Sequence, residues 1–195
     1  ASCQEIIRRY FEAKAGVLDG MRKEEEVFKI ELLMKQLHIS TTDRKVVTPA
    51  LQRAEETGSP AAAIELPDGR IICGKTSDLL GASAALLLNA LKELAGIDHK
   101  LHVISPASIE PIQTLKTAYL GSKNPRLYTD EVLIALSSSA ASSPEAKLAL
   151  RQLPRLKGCQ VHTSVMLSKV DVGIFKRLGI QLTSEPRYEH KSMLH

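Results

Sequence analysis

From Leu79 to Leu94 the chain offers almost no polar face. Read as a helix, Leu79, Leu80, Ala82, Ala84, Ala85, Leu86, Leu87, Leu88, Ala90, Leu91 and Leu94 point in nearly every direction. A helix that is apolar all round has to be covered on several sides. The run is shorter than the roughly 20 residues that cross a bilayer, and Asn89 interrupts it, so it reads as the central helix of a core and not as a membrane span. Ser77 or Asp78 stands where an N-cap belongs, which predicts a helix from there to about Ala95. The small residues Gly81 to Ala85 would let a neighbouring element approach closely.

What surrounds that helix is legible from periodicity. Ile6, Ile7, Tyr10 and Phe11 make one apolar stripe at helical spacing. Val27, Ile30, Leu33, Met34 and Leu37 make a second, and Asp19-Gly20 breaks the chain between them. A third helix is expected from about Val46 to Glu56, stopped by Thr57-Gly58-Ser59-Pro60, with Pro49 near its first turn. Ala61 to Leu66 and Arg70 to Cys73 flank Pro67-Asp68-Gly69, the pattern of a β-hairpin. Leu101 to Ile104 is a short β-rich run ending at Ser105, with a helix from about Ser108. Gln160 to Leu167 is another, ending at Ser168, with a helix from about Asp171. Both segments read Ser-x-x-[Ser/Asp]-apolar-x-x-apolar-x-x-Leu, and each is preceded by an Ala/Ser-rich helical stretch, the second opening at Thr129, closed by Gly96 or Gly158. The expectation is an α/β fold with a short mixed sheet, helices on both faces, a duplicated helix–strand–helix unit and an N-terminal helical segment. In domain terms this is a helical segment over 1–58 and an α/β domain over 59–195, with the duplication spanning 76–120 and 129–179. Ile180 to Thr183 supplies a last strand, and Arg187 to His195 a polar tail.

Composition narrows the function classes. The chain has 195 residues, 44% of them apolar, with no Trp and 4% aromatics, so its core is built of Leu, Ile, Val and Ala. A net charge of +4 is mild, the basic residues are scattered, and there is no aromatic-plus-basic pattern for stacking on a single strand, so no nucleic-acid partner is expected. Cys3, Cys73 and Cys159 lie far apart, with no zinc spacing, which points to no metal site and to a reducing, cytoplasmic setting. No signal-peptide pattern and no membrane segment are present. Because the chain begins Ala1-Ser2-Cys3, it reads as a fragment of something longer.

Gly69-Arg70-Ile71-Ile72-Cys73-Gly74-Lys75-Thr76 has the Walker A spacing G-x-x-x-x-G-K-[ST]. A phosphate cradle needs small, turn-forming residues between its glycines. Here Ile71, Ile72 and Cys73 form an apolar run after a good hairpin turn, and no Walker B strand follows, so the hairpin is the better reading. A weaker form of the idea keeps Lys75, Thr76 and Ser77 as an anion site at the N-terminus of the central helix, against the plainer role of Ser77 or Asp78 as its cap. Ser105 and Ser168 stand where strands hand over to helices, the place where open α/β sheets collect ligands. Gly121 to Arg126 is a basic, turn-rich loop whose Lys123 and Arg126 suit an anion or a neighbouring subunit. His162, in an apolar strand, is the preferred candidate acid or base, against the plainer reading of a packed histidine. No nucleophile elbow and no HExxH is present.

Several long strings are more specific than these motifs: Gln4-Glu5-Ile6-Ile7-Arg8-Arg9-Tyr10, Ile30 through Leu37, Ala63 through Gly69, Gly74 through Leu80, and Leu127 through Leu136. Across nearly its whole length the chain resembles the C-terminal portion of the bacterial family called domain of unknown function 1846. The resemblance implies a much longer full-length protein, with a glycine-rich, phosphate-loop-like segment in an N-terminal half that these residues do not include. Some members carry an ATP-dependent peptidase label, of the kind a Walker-like string attracts. The family supplies no established catalytic residue to transfer and identifies no cofactor. Two readings follow. The chain is part of an enzyme acting on an anionic or phosphorylated small molecule, or it is an assembly domain that packs against the missing N-terminal half and against other copies as a homo-oligomer. A pocket gathering Lys75, Ser105, His162 and Ser168 would favour the first, and a large apolar surface without a polar cleft the second.

Overall fold

The computed structural model describes residues 2–189. Among the described residues, eight α-helices surround a four-stranded mixed sheet, so the expected α/β class is what the chain adopts. The helices are α1 (Cys3–Leu18), α2 (Glu24–Gln36), α3 (Val47–Thr57), α4 (Ala82–Leu94), α5 (Pro106–Thr114), α6 (Thr129–Ser139), α7 (Pro144–Leu150) and α8 (Lys169–Arg177). The strands are β1 (Ala61–Glu65), β2 (Ile71–Lys75), β3 (Gln160–Thr163) and β4 (Gln181–Ser184). Their order is β2-β1-β3-β4. β1 runs antiparallel to both neighbours, and β3 and β4 are parallel, joined through α8.

Each boundary has a local cause. Ser2 caps α1 by accepting the Glu5 N–H, and Ser168 caps α8 by accepting the Asp171 N–H. Gly58 ends α3 in the left-handed region, at φ +65°. The expected hairpin is present, with Ala63 opposite Cys73 and Gly69 supplying the positive φ of its turn. The sheet's alternation sorts its two faces. Ala62, Ile64 and Val161 pack into the main core with Leu86, Leu87, Ala90 and Leu91 of α4, Val132 and Leu136 of α6, and Phe175 of α8. On the other face Ala63 meets Val46 and Ala50, and α1 lays Phe11 against His162. Helices therefore lie on both faces, and α4 is the central helix the sequence called for, with eight of its thirteen residues buried.

Two expectations need correction. First, α4 begins at Ala82 with Gly81 as its N-cap, so Lys75, Thr76 and Ser77 do not precede a helix terminus. The chain from Ser77 to Gly81 instead pairs with a later loop: Leu127 N–H donates to Leu79 O, and Gly81 N–H to Leu127 O. Its backbone groups are satisfied there, and helix nucleation waits until Ala82. Second, Leu101–Ile104 is not a strand. Asp98 captures the backbone locally, its carboxylate accepting the Lys100 N–H and its carbonyl the Leu101 N–H, while the Lys92 ammonium takes the His99 carbonyl. Val103 and Ile104 reach the core as side chains from an irregular segment that Pro106 then turns into α5. The duplicated helix–strand–helix unit thus keeps its second strand only. What the two segments share is a serine at the N-cap, Ser105 for α5 and Ser168 for α8. Residues 190–195 of the expected polar tail lie outside the described residues.

The Walker-like string is settled by packing. Its residues form the hairpin turn and edge strand β2. A Cβ on Gly74 would lie 2.3 Å from the Leu86 nitrogen and 2.6 Å from its Cα. Gly74 is therefore a glycine that the backbone-to-backbone contact of β2 with α4 requires. Gly74→Ala should lower stability by about 1–3 kcal/mol through overpacking. Exposed Lys75→Ala should stay within about 0.5 kcal/mol of wild type. Urea unfolding of the two variants checks both.

Candidate functional site

The densest polar constellation lies inside the sheet face that α1 and α3 cover. Arg44, in the turn before α3, is fully buried. Its Nε donates to Thr183 Oγ1 at 2.9 Å, and one terminal nitrogen donates to the carbonyls of Val161 (3.0 Å) and Gln181 (2.8 Å). The other terminal nitrogen bonds Gln160 Oε1. The fork thus bridges the parallel strands β3 and β4. Burial lowers the guanidinium's pKa to about 10, with the positive charge of Arg8 adding to that and Glu65 opposing it.

His162, also fully buried, continues the chain of contacts. Its Nδ1 lies 2.7 Å from Thr183 Oγ1 and its Nε2 3.3 Å from Glu185 Oε1. The directions can be assigned from valence. An ionised Glu185 can only accept, so Nε2 carries the proton. In a neutral imidazole Nδ1 is then an acceptor, and the Thr183 O–H is directed to it at 2.7 Å in preference to the Val161 carbonyl at 3.3 Å, while Thr183 accepts from Arg44. The order is Arg44 to Thr183 to His162 to Glu185, each donating to the next. Burial holds the His162 pKa below its ordinary value, against the hydrogen bond and charge of Glu185, which raise it. The His162 hydrogen bond draws the Glu185 carboxyl below the usual range, against its own partial burial. The Phe11 ring lies 4.7 Å from the imidazole, centroid to centroid, and closes it off from above.

The other singled-out residues are dispersed and largely occupied. Lys75 is exposed at the end of β2, and Thr76 is buried, donating its N–H to Pro60 O. Ser77 accepts the N–H groups of Leu79 and Leu80, and its carbonyl accepts Arg126 Nε at 2.6 Å, so Ser77 and Arg126 are together. Lys123 is exposed in the same loop as Arg126. Ser105 Oγ lies 2.9 Å from Ser108 Oγ. Ser168 is spent on its cap, next to a buried carboxylate: Asp171 Oδ1 accepts both the N–H (2.9 Å) and the hydroxyl (2.7 Å) of Thr129. Burial raises the Asp171 pKa, and the two Thr129 bonds oppose the rise. Among the described residues there is no group of three or more His, Cys, Asp or Glu side chains placed to hold a metal ion.

A groove of about 520 Å³ opens at the rim where β3 and β4 end, between Ser59, Pro60, Ser164, Val165, Arg187 and the α3 residues Leu51 and Glu55. A smaller one of about 260 Å³, lined by Cys73, Asn89, Lys92 and His99, lies between β2 and α4. Neither is lined by Lys75, Ser105, His162 or Ser168. Sequence reasoning found His162 but missed Arg44, Thr183, Glu185, Asp171 and the role of Thr129. The direct partners of Arg44 are 116 to 139 positions away from it, and nothing in its neighbourhood signals them. The one available hint was the spacing Thr183-x-Glu185, which puts both on one face of the last strand.

A small α/β body with an interior polar chain describes the class. Comparison with known sequences supplies the family. The chain belongs to the family described as domain of unknown function DUF1846, C-terminal, whose sequence model matches residues 42–194. It is 57% identical to a UPF0371 protein of Corynebacterium efficiens over 99% of the chain and 39% of that protein. A UPF0371 protein of Corynebacterium aurimucosum is 58% identical over all of the chain and 39% of its own length. One from Streptococcus pyogenes is 46% identical over 99% of the chain and again 39% of its length. The chain thus spans about two fifths of these bacterial relatives.

The His162 assignment has a pH consequence. A histidine whose folded pKa is depressed stabilises the fold fully above its unfolded value of about 6.5, and that contribution is lost as the pH falls below it. Glu185 acts with the same sign at lower pH, and Asp171, raised, with the opposite sign. Urea unfolding should therefore show stability falling from pH 7.5 to 5.5, and His162→Gln, which cannot titrate, should flatten that slope.

Proposed function

We propose that the chain is the assembly part of a longer bacterial protein: it works joined to the remainder and holds no complete catalytic site of its own. The observation that carries this reading is the fate of His162. The histidine preferred for acid–base work in the sequence has both ring nitrogens engaged and no exposed surface. A general base needs to reach the proton it takes. The serines at the two helix caps and the buried carboxylate of Asp171 are likewise spent on internal bonds. Against this, large apolar side chains stand exposed on several elements, notably Met21, Phe28, Leu37, Tyr119, Leu120 and Ile134. Three free cysteines suit a reducing, cytoplasmic setting for the whole.

The second reading, part of an enzyme acting on an anionic or phosphorylated small molecule, draws on the groove at the carboxyl ends of β3 and β4. That is where open α/β sheets place ligands, and Arg187 and Ser164 border it. Glu55 and Glu189 border it too and oppose an anion, which ranks this reading second. No helix among the described residues is long and apolar enough to cross a membrane, so neither reading invokes one.

Calorimetry of the full-length protein separates assembly from independence. If the two parts are one assembly, a core lesion such as Leu86→Ala, costing about 2–5 kcal/mol, lowers a single cooperative transition. Two transitions, only one of which moves, would contradict the reading. A thermal-shift screen with inorganic phosphate, nucleotides and sugar phosphates tests the alternative: a ligand shift that Lys75→Ala or Arg187→Ala abolishes would restore the enzyme reading.

A further inference from the structure

Helix α2 is apolar on two opposite sides. Val27, Ile30 and Met34, at helical spacing, turn toward α1, and Met34 is the one residue of α2 that is buried. Phe28 and Leu32, one turn apart, fall on the opposite side of the helix, where nothing among the described residues covers them: they are 61% and 45% exposed. Leu33 and Leu37, another one-turn pair, are 41% and 52% exposed, and Met21, in the turn before α2, is 83% exposed. The sequence had put Leu33 and Leu37 on the buried stripe. A single stray leucine on a surface needs no explanation, but two apolar ridges on a helix that packs on one neighbour do.

We propose that the outer face of α2, centred on Phe28 and Leu32, is the seat of the N-terminal part that the longer relatives carry. The inference rests on the assembly reading and names its surface. Two observations choose this occupant over others. The relatives extend well beyond the chain, which covers 39% of their length, so a large folded mass is available to sit on it. And the family's C-terminal sequence model starts at residue 42, after α2 has ended at Gln36. The α1–α2 hairpin therefore precedes the C-terminal unit in sequence while α1 is built into it, through Phe11 against His162 and Tyr188 Oη donating to Asp19 Oδ1 at 2.8 Å. One helix of the hairpin is committed to the sheet. The other presents its free ridge to what comes before. Glu24, Glu25, Lys29, Glu31 and Lys35 supply the charged rim that interfaces of this kind keep around an apolar centre.

The test uses the full-length protein, with Leu32→Cys or Phe28→Cys introduced separately and Ile134→Cys, on α6, as a second position 65% exposed in this structure. Maleimide labelling is followed by mass against the unsubstituted protein, at a concentration where sedimentation gives a monomer. The expected result is that Leu32→Cys and Phe28→Cys label more slowly than the same proteins in denaturant by about tenfold or more. Fast labelling at both α2 positions with protection of Ile134→Cys would overturn the α2 assignment and leave the assembly reading standing. Fast labelling at all three positions would remove both. Protection on α2 that exists in the oligomer and vanishes in the monomer would make the occupant a second copy and would also overturn the inference.

Discussion

A guanidinium buried among neutral acceptors holds the two halves of this sheet face together. Arg44 reaches from the turn before α3 across two strands that lie more than a hundred residues further along, and it meets them through a hydroxyl, an amide oxygen and two carbonyls. No carboxylate among the described residues is within ion-pair distance of it. A buried charge is costly unless it is well hydrogen-bonded, and here the fork geometry of arginine makes four hydrogen bonds in directions a lysine could not match. The arrangement ties the turn before α3 to β3 and β4 and joins, at Thr183, the hydrogen bonds that run on to His162 and Glu185.

The rest of the architecture follows from two kinds of close contact on the opposite face. β2 approaches α4 so tightly that only a glycine fits, and the largely apolar α4 is then covered by β1, β2, α6 and α7. The loop from Ser77 to Gly81 joins the loop around Leu127, and Asp171 ties the start of α6 to the start of α8. The polar groups near the sheet's carboxyl rim are thus largely engaged in holding these starts in place. That is why several side chains that look chemically capable in the sequence are taken up by internal hydrogen bonds.

The legible parts were those written in local pattern. The hairpin at Pro67-Asp68-Gly69, the helix breaks at Asp19-Gly20 and Gly58, the strand from Gln160 and the buried central helix all follow from turn chemistry and apolar period. The strand expected at Leu101 failed because burial of Val103 and Ile104 does not require a ladder, and Asp98 offered the backbone a nearer partner. The start of α4 was placed too early because Ser77 does accept two backbone N–H groups, as a cap would, but in a turn that pairs with Leu127. His162 was picked out for its apolar surroundings, the very feature that leaves it fully buried. Arg44 was invisible because its partners are distant and its own neighbours, Asp43 and Lys45, read as an ordinary solvated turn.

The hydroxyl of Thr183 is the atom on which this account turns, since Arg44 and His162 meet there. Thr183→Val keeps the shape and removes only that oxygen. Urea unfolding at pH 7.5 should show a loss of about 2 kcal/mol or more for this change. In the Thr183→Val background, His162→Gln should cost clearly less than it does in wild type, the mark of two residues acting as one network. A neutral Thr183→Val, or costs that simply add, would mean that the chain from Arg44 to Glu185 is not what holds the fold.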